Sequence, residues 1–298
     1  MHAKKLILCD KVGIISPSHI VDMEEYKHMV INLEQLGFKV VFGANVTKDT
    51  FGYAASAKER ADDLNDMVLD DGVQMILFGG GESAVELLPL IDYENIKKHP
   101  KIFCSYSDGT SILNAIYAQT GLVTYYGCSP KVFFDLQQYD VLQFRLHFVE
   151  EKSVEEFSSN SNWITLKDGF CEGILIGGYA MLFGLMLANK YFKYDVNEKY
   201  ILFLEDHEKY SSVGALTSYL AFIEQSTFMN NVVGLIFGHY ANELPEELLP
   251  CIERFGERNN IPTVYTDDFG HGKNHAILPI GVEASLDADK QSLVFHYK

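Results

Sequence analysis

Hydrophobic positions along the chain alternate between short unbroken runs and stripes at helical spacing. The runs Val12 to Ser16, Phe38 to Phe42 and Val73 to Phe78 predict buried strands. Between them, Met23 to Leu36 is apolar at Tyr26, Met29, Val30 and Leu33, and residues 57 to 70 are apolar at Ala61, Leu64, Met67 and Val68. Both segments predict amphipathic helices, the first stopped by Gly37. Ile102 to Cys104 is too short for a helix and fits another buried strand. The pattern breaks over Ser105-Tyr106-Ser107-Asp108-Gly109 and resumes with helical period at Ile112, Leu113, Ile116 and Tyr117. Strands alternating with helices imply a mostly parallel sheet covered on both faces, with ligands at the carboxyl ends of strands. Gly79-Gly80-Gly81 and Ser107 both lie at such ends.

After residue 130 the rhythm changes. Residues 135 to 148 predict a helix, and the acidic, then Ser/Asn-rich stretch 150 to 162 predicts a linker or exposed excursion. Further strands are expected at Trp163 to Leu166, Gly173 to Ile176, Tyr200 to Leu204, Val232 to Phe237 and Thr263 to Tyr265. Helices are expected near 180–188, 213–224 and 245–257, followed by a loop from Asp267 to His275. The chain thus divides into a first α/β domain (1–130), a linker (131–162) and a second α/β domain (163–298).

Composition narrows the partners. A net charge of −17 argues against nucleic acid or an anionic membrane surface. The five cysteines form no Cys-x-x-Cys pair, so neither a disulfide framework nor a zinc knuckle is expected, and a reducing compartment fits. Asp10-Lys11 interrupts the apolar Leu6-Ile7-Leu8 too early for a signal peptide, and no run reaches membrane-spanning length. These features predict a soluble, cytoplasmic protein.

Ser107 is the first candidate for chemistry. A serine at a sharp strand-to-helix turn stands clear of the sheet, where backbone N–H groups can receive an oxyanion. Ser-x-Ser-x-Gly is one substitution from the Gly-x-Ser-x-Gly nucleophile elbow. Ser107 or Asp108 equally suits the role of helix cap. The glycine run can bind an anion or simply supply a positive-φ turn, and no Gly-x-Gly-x-x-Gly or Walker lysine accompanies it. Glu205 directly follows a buried strand, and His271 stands between Gly270 and Gly272. Serine, carboxylate and histidine would supply the nucleophile, orienter and base of acyl transfer. A competing grouping of Glu205, His207, Asp267, His271 and His275 as a metal site lacks the His-Glu-x-x-His spacing and ranks below the triad.

Three stretches carry a family resemblance: Leu88-Pro-Leu-Ile-Asp-Tyr-Glu-Asn-Ile96, Pro100-Lys-Ile-Phe-Cys-Ser-Tyr-Ser-Asp108 and Tyr117-Ala-Gln-Thr-Gly-Leu-Val-Thr-Tyr-Tyr-Gly127. With Gly173-Ile-Leu-Ile-Gly-Gly178, Ile201-Leu-Phe-Leu-Glu-Asp206, Gly270-His271 and Leu278-Pro-Ile-Gly281, the chain resembles the serine L,D-carboxypeptidases. That family includes muramoyltetrapeptide carboxypeptidase and the microcin-immunity peptidases. The resemblance implies a class I amidotransferase-like first domain, a smaller α/β second domain and a homodimer. It implies Ser107 as nucleophile, Glu205 as orienter and His271 as general base, with an oxyanion hole from backbone N–H groups of Gly80, Gly81 and Asp108. No metal and no organic cofactor is implied. The expected substrate is a murein-type peptide losing a C-terminal D-residue, or else a peptidyl-nucleotide toxin. A catalytically silent binding protein on the same fold is the alternative from another class. Ser105, Glu82, Tyr179 and the segment Cys128-Ser-Pro-Lys131 depart from the family pattern without touching the triad. Lys273, the cation nearest in sequence to a triad member, is expected to hold the substrate carboxylate.

Overall fold

In the computed structural model, which describes residues 1–297, the chain builds two mixed β-sheets with helices packed around them. The first half runs β1 (Lys11–Ile15), α1 (Met23–Gln35), β2 (Lys39–Phe42), α2 (Ala57–Leu69), β3 (Val73–Phe78), α3 (Tyr93–Lys98), β4 (Ile102–Ser105), α4 (Thr110–Thr120) and β5 (Thr124–Tyr126). These strands pair in parallel in the order β5-β4-β3-β1-β2. Local chemistry sets the helix starts: the Asp22 side chain accepts the Glu24 N–H, and Ser56 and Glu59 form a reciprocal capping box.

The expected helix over 135–148 is broken. α5 (Val132–Asp135) ends on Leu136 at φ 47°, and α6 (Gln138–Phe144) runs into a π turn over Arg145–Val149. Residues 150–162 contain no helix and hold only an isolated bridge from Glu156 to Val294.

The second half contains β6 (Ile164–Lys167), β7 (Phe170–Tyr179), α7 (Ala180–Met186), β8 (Tyr200–Glu205), α8 (Val213–Glu224), β9 (Val232–His239), α9 (Leu248–Asn259) and β10 (Thr263–Gly270). Strands β7 to β10 are parallel neighbours, and the edges β6, β12 (Glu283–Asp287) and β13 (Ser292–His296) are antiparallel. β10 continues to Gly270, so the first part of the expected Asp267–His275 loop is strand. β11 (Leu278–Ile280) returns to the first sheet and pairs antiparallel with β5. β11 thus ties the second half of the chain back to the first sheet.

The seam between them positions the site. Asn114 of α4 donates to the Gly177 carbonyl at 2.9 Å, and the Tyr179 N–H donates to Thr110 Oγ1 at 2.9 Å. Gly178, at φ 136°, approaches so closely that a Cβ there would lie 2.4 Å from Thr110 Oγ1. Only glycine allows β7 to meet the start of α4 in this way. Among the described residues, no helix is long and apolar enough to cross a membrane.

Candidate active site

Ser107 follows β4 and opens the short turn that leads into α4, with φ 55°. That left-handed conformation is uncommon outside glycine and marks a backbone held in place by its surroundings. The Ser107 hydroxyl lies 3.0 Å from His271 Nε2, and His271 Nδ1 lies 2.8 Å from Glu205 Oε2. Neither Ser107 nor Asp108 caps α4: no side chain caps that helix, and the Asp108 carboxylate accepts from Ser18 Oγ and the Ala84 N–H, each at 2.7 Å.

Each partner arrives from a different strand end. Glu205 closes β8 with no exposed surface, and His271 immediately follows β10. An ionised carboxylate only accepts, so Nδ1 carries the proton and Nε2 faces the serine as acceptor. Burial works to lower the His271 pKa, but the charge and hydrogen bond of Glu205, and then the charge of Asp206, carry it above its usual 6.5. The imidazole is ringed by Tyr106, Tyr179, Tyr210 and His207, with centroids 5.1, 5.5, 5.5 and 5.9 Å away.

The glycines on either side of His271 serve close packing. They do not lay the imidazole open, since its side chain is only 12% exposed. A Cβ on Gly270, at φ 106°, would lie 3.1 Å from Glu205 Cβ, and one on Gly272 would lie 2.6 Å from His239 Cγ. Both permit close packing that seats the histidine against its carboxylate.

The glycine loop reaches the same place. A Cβ on Gly80 would stand 2.6 Å from Ser107 Cβ and 2.9 Å from its Oγ. Gly81, at φ 147°, would drive a Cβ into the Ser18 carbonyl at 2.4 Å. This loop is braced by the segment after β1. Ser18 accepts the Glu82 N–H at 3.1 Å, and His19 Nδ1 donates to the Gly80 carbonyl at 3.1 Å. The buried Arg60 donates to the Pro17 carbonyl and, at 3.0 Å, to Ser83 Oγ.

Lys273 is not among the residues that line the cleft of Ser107 and His271. It lines a separate depression with Gln138, Tyr139 and Asn160, none of which borders Ser107. The lysine that does line the cleft holding Ser107 and His271 is Lys131. The competing metal grouping is dispersed: His275 Nδ1 pairs with Asp140 at 2.9 Å, and Asp267 accepts from Tyr265 and pairs with His239. Among the described residues, no group of three or more His, Cys, Asp or Glu is arranged to hold a metal ion.

Two further residues beside the site were not singled out in the sequence. Tyr126, fully buried, receives the Ser107 N–H on its hydroxyl at 2.9 Å and donates to Glu205 Oε1 at 2.6 Å. Asp206, also without exposed surface, accepts the His207 N–H at 2.8 Å and lies beside the hydroxyls of Tyr179 and Ser211, and burial pushes its carboxyl up to about 6. Both residues lie within the quoted motifs, but nothing in their spacing distinguishes them from core positions. The departures also find their places. Ser105 is buried against Gly109, where a Cβ would lie 2.2 Å from Ser105 Oγ, while Glu82 and Tyr179 line a second cavity beside Ser107.

Comparison with known proteins identifies the family. The profile of the LD-carboxypeptidase N-terminal domain matches residues 12–127, and that of the LD-carboxypeptidase C-terminal domain matches residues 172–286. A Bacillus subtilis protein named "Probable murein peptide carboxypeptidase" is 30% identical over 96% of this chain and 91% of its own length. The Escherichia coli microcin C7 self-immunity protein MccF is 26% identical over 98% of this chain and 94% of its own. The crystal structure of an MccF-like protein from Bacillus anthracis superposes with a TM-score of 0.91 at 28% identity, covering 100% of both chains. The chain belongs to the LD-carboxypeptidase family of peptidases.

Proposed function

We propose that this protein is a serine carboxypeptidase that releases a C-terminal D-residue from murein-type peptides, using Ser107, His271 and Glu205. The observation that supports this reading most is the unbroken hydrogen-bond chain from Ser107 Oγ through His271 to Glu205. Ser107 Oγ attacks the scissile carbonyl as His271 Nε2 takes its proton, and Glu205 stabilises the imidazolium. The carbonyl oxygen becomes an oxyanion facing the backbone N–H groups of Gly80, Gly81 and Asp108. Collapse breaks the C–N bond, His271 hands the proton to the leaving amine, and an acyl ester remains on Ser107. Water, deprotonated by the same imidazole, then hydrolyses the ester and restores the serine.

Tyr126 adds to this scheme. Its hydroxyl holds the backbone of the nucleophile and the orienting carboxylate at once, so the elbow and the base keep one geometry. Assembly as a homodimer in a reducing cytoplasm belongs to the same proposal. Leu185 and Phe222 on α7 and α8 are 65% and 67% exposed, giving a second copy an apolar face to cover. Light scattering of the purified chain, with a Phe222→Glu variant, tests the assembly.

The substrate assay incubates the pure protein with a murein tetrapeptide ending in an L,D bond and measures released D-alanine. A nucleotidyl-peptide amide runs in parallel. Release of D-alanine supports the carboxypeptidase reading. Cleavage of the nucleotidyl peptide alone overturns it in favour of an immunity-type activity. No turnover, together with no labelling of Ser107 by a fluorophosphonate, points to a silent binding protein.

A further inference from the structure

Two cavities meet at Ser107, and they differ in one respect that matters for chemistry. The smaller, of about 310 Å³, is lined by Ser107 and His271, whereas the larger, of about 640 Å³, is lined by Ser107, Asp108 and Tyr179 without His271. In the triad mechanism the imidazole delivers its proton to the departing amine, so the leaving group must lie on the side that His271 borders. The smaller cavity is then the leaving-group side, and the larger takes the acyl part of the peptide.

A carboxypeptidase has a leaving group of defined chemistry: one amino acid whose α-carboxylate stands beside the scissile nitrogen. In a chain of net charge −17, that carboxylate needs a local cation. Lys131 is the only lysine or arginine that lines the smaller cavity among the described residues. Two acids share the wall, and neither occupies it fully. Asp22 accepts the Glu24 N–H at 2.9 Å as the cap of α1. Glu25 Oε1 lies 3.8 Å from Lys131 Nζ, beyond hydrogen-bond distance, which leaves the ammonium donors open. His19, the other basic group on that wall besides His271, has its pKa lowered chiefly by burial, and its Nδ1 is committed to the Gly80 carbonyl. Lys131 also sits in Cys128-Ser-Pro-Lys131, the segment that departs from the family pattern.

We infer that Lys131 is the subsite for the α-carboxylate of the leaving residue, making this enzyme selective for a free C-terminus. The inference rests on the L,D-carboxypeptidase reading above. It is tested with the full chain and two tetrapeptides ending in the same L,D bond, one as the free acid and one as the C-terminal amide. Wild type should prefer the free acid. Lys131→Met should lower kcat/KM for the free acid by about 10- to 100-fold, mainly through KM, and leave the amide unchanged, because a charge-assisted contact made equally in ground and transition states is lost. Lys131→Arg should restore most of the preference, and Glu25→Gln should sharpen it by removing a negative charge that stands 3.8 Å from the ammonium. Cleavage by Lys131→Met with the wild-type preference intact would overturn the subsite alone. Failure of wild type to cleave either peptide would overturn the L,D reading, and the subsite with it.

Discussion

The Tyr126 hydroxyl donates to Glu205 Oε1 at 2.6 Å while receiving the Ser107 N–H at 2.9 Å, tying β5, β8 and the nucleophile turn into one buried network. Burial first, and then the Glu205 charge, raise the Tyr126 pKa well above its usual value, so the phenol stays protonated and keeps donating. Tyr126→Phe should leave one carboxylate oxygen and one N–H without partners. We expect unfolding free energy to fall by about 1–3 kcal/mol and kcat/KM to drop by about 10- to 100-fold. Denaturant unfolding and steady-state kinetics check both, and an unchanged pair of values would remove Tyr126 from the network's function.

Ser107→Ala should retain the wild-type circular dichroism spectrum and reduce turnover by on the order of 10⁴-fold or more, as for removal of a member of a unit that acts together. Activity above about a tenth of wild type, equivalent to 1.4 kcal/mol in barrier, would rule Ser107 out as nucleophile.

Gly80→Ala tests the oxyanion loop. The added Cβ would lie 2.6 Å from Ser107 Cβ, so either the loop or the nucleophile turn must move. We expect kcat to fall by about 10²- to 10³-fold with KM little altered, because donors aimed at the developing oxyanion are displaced. A proportional rise in KM at constant kcat would instead indicate simple obstruction of the cleft.

The pH profile follows from two shifts. The His271 pKa stands above its usual 6.5, and the base works only when neutral, so the acid limb of kcat/KM should fall above pH 6.5. Asp206→Asn removes one of the charges that raise it and should move that limb to lower pH. Asp206 also has a stability signature. Its folded-state pKa of about 6 exceeds the unfolded value, so the native state binds the proton more tightly. Wild-type stability should therefore fall as pH rises from about 4 to about 6, and the variant should flatten that segment. An acid limb unmoved in Asp206→Asn would show that Asp206 does not act on His271.

The two nearby histidines should separate cleanly. His271→Ala should abolish activity, whereas His275→Ala should keep it within about threefold of wild type while lowering stability by about 1–2 kcal/mol, since Asp140 loses one of its two hydrogen bonds from His275. Dialysis against EDTA should leave turnover unchanged. Loss on chelation with recovery on zinc would sink the metal-free mechanism.

Much of the fold was legible from hydrophobic period alone. The runs at Val73–Phe78 and Tyr200–Leu204 and the stripes over 23–36 and 57–70 became the strands and helices expected of them, because burying those side chains requires those periods. The short strands β5 and β11 were not visible. Each has three residues, and each is held by neighbours distant in sequence rather than by local preference. Ser107, Glu205 and His271 could be named from their positions after strands and from the resemblance of their motifs. Their meeting could not be derived that way, since Oγ, imidazole and carboxylate converge only when α4 docks on β7 and β11 returns to the first sheet. Lys273 and Lys131 make the same point. Nearness in sequence to His271 favoured the first, but it lines a separate depression, and the second reaches the cleft from the other half of the chain. Local pattern thus determined the elements and the candidate chemistry, while side-chain direction and convergence are long-range properties that only the packed tertiary structure decides.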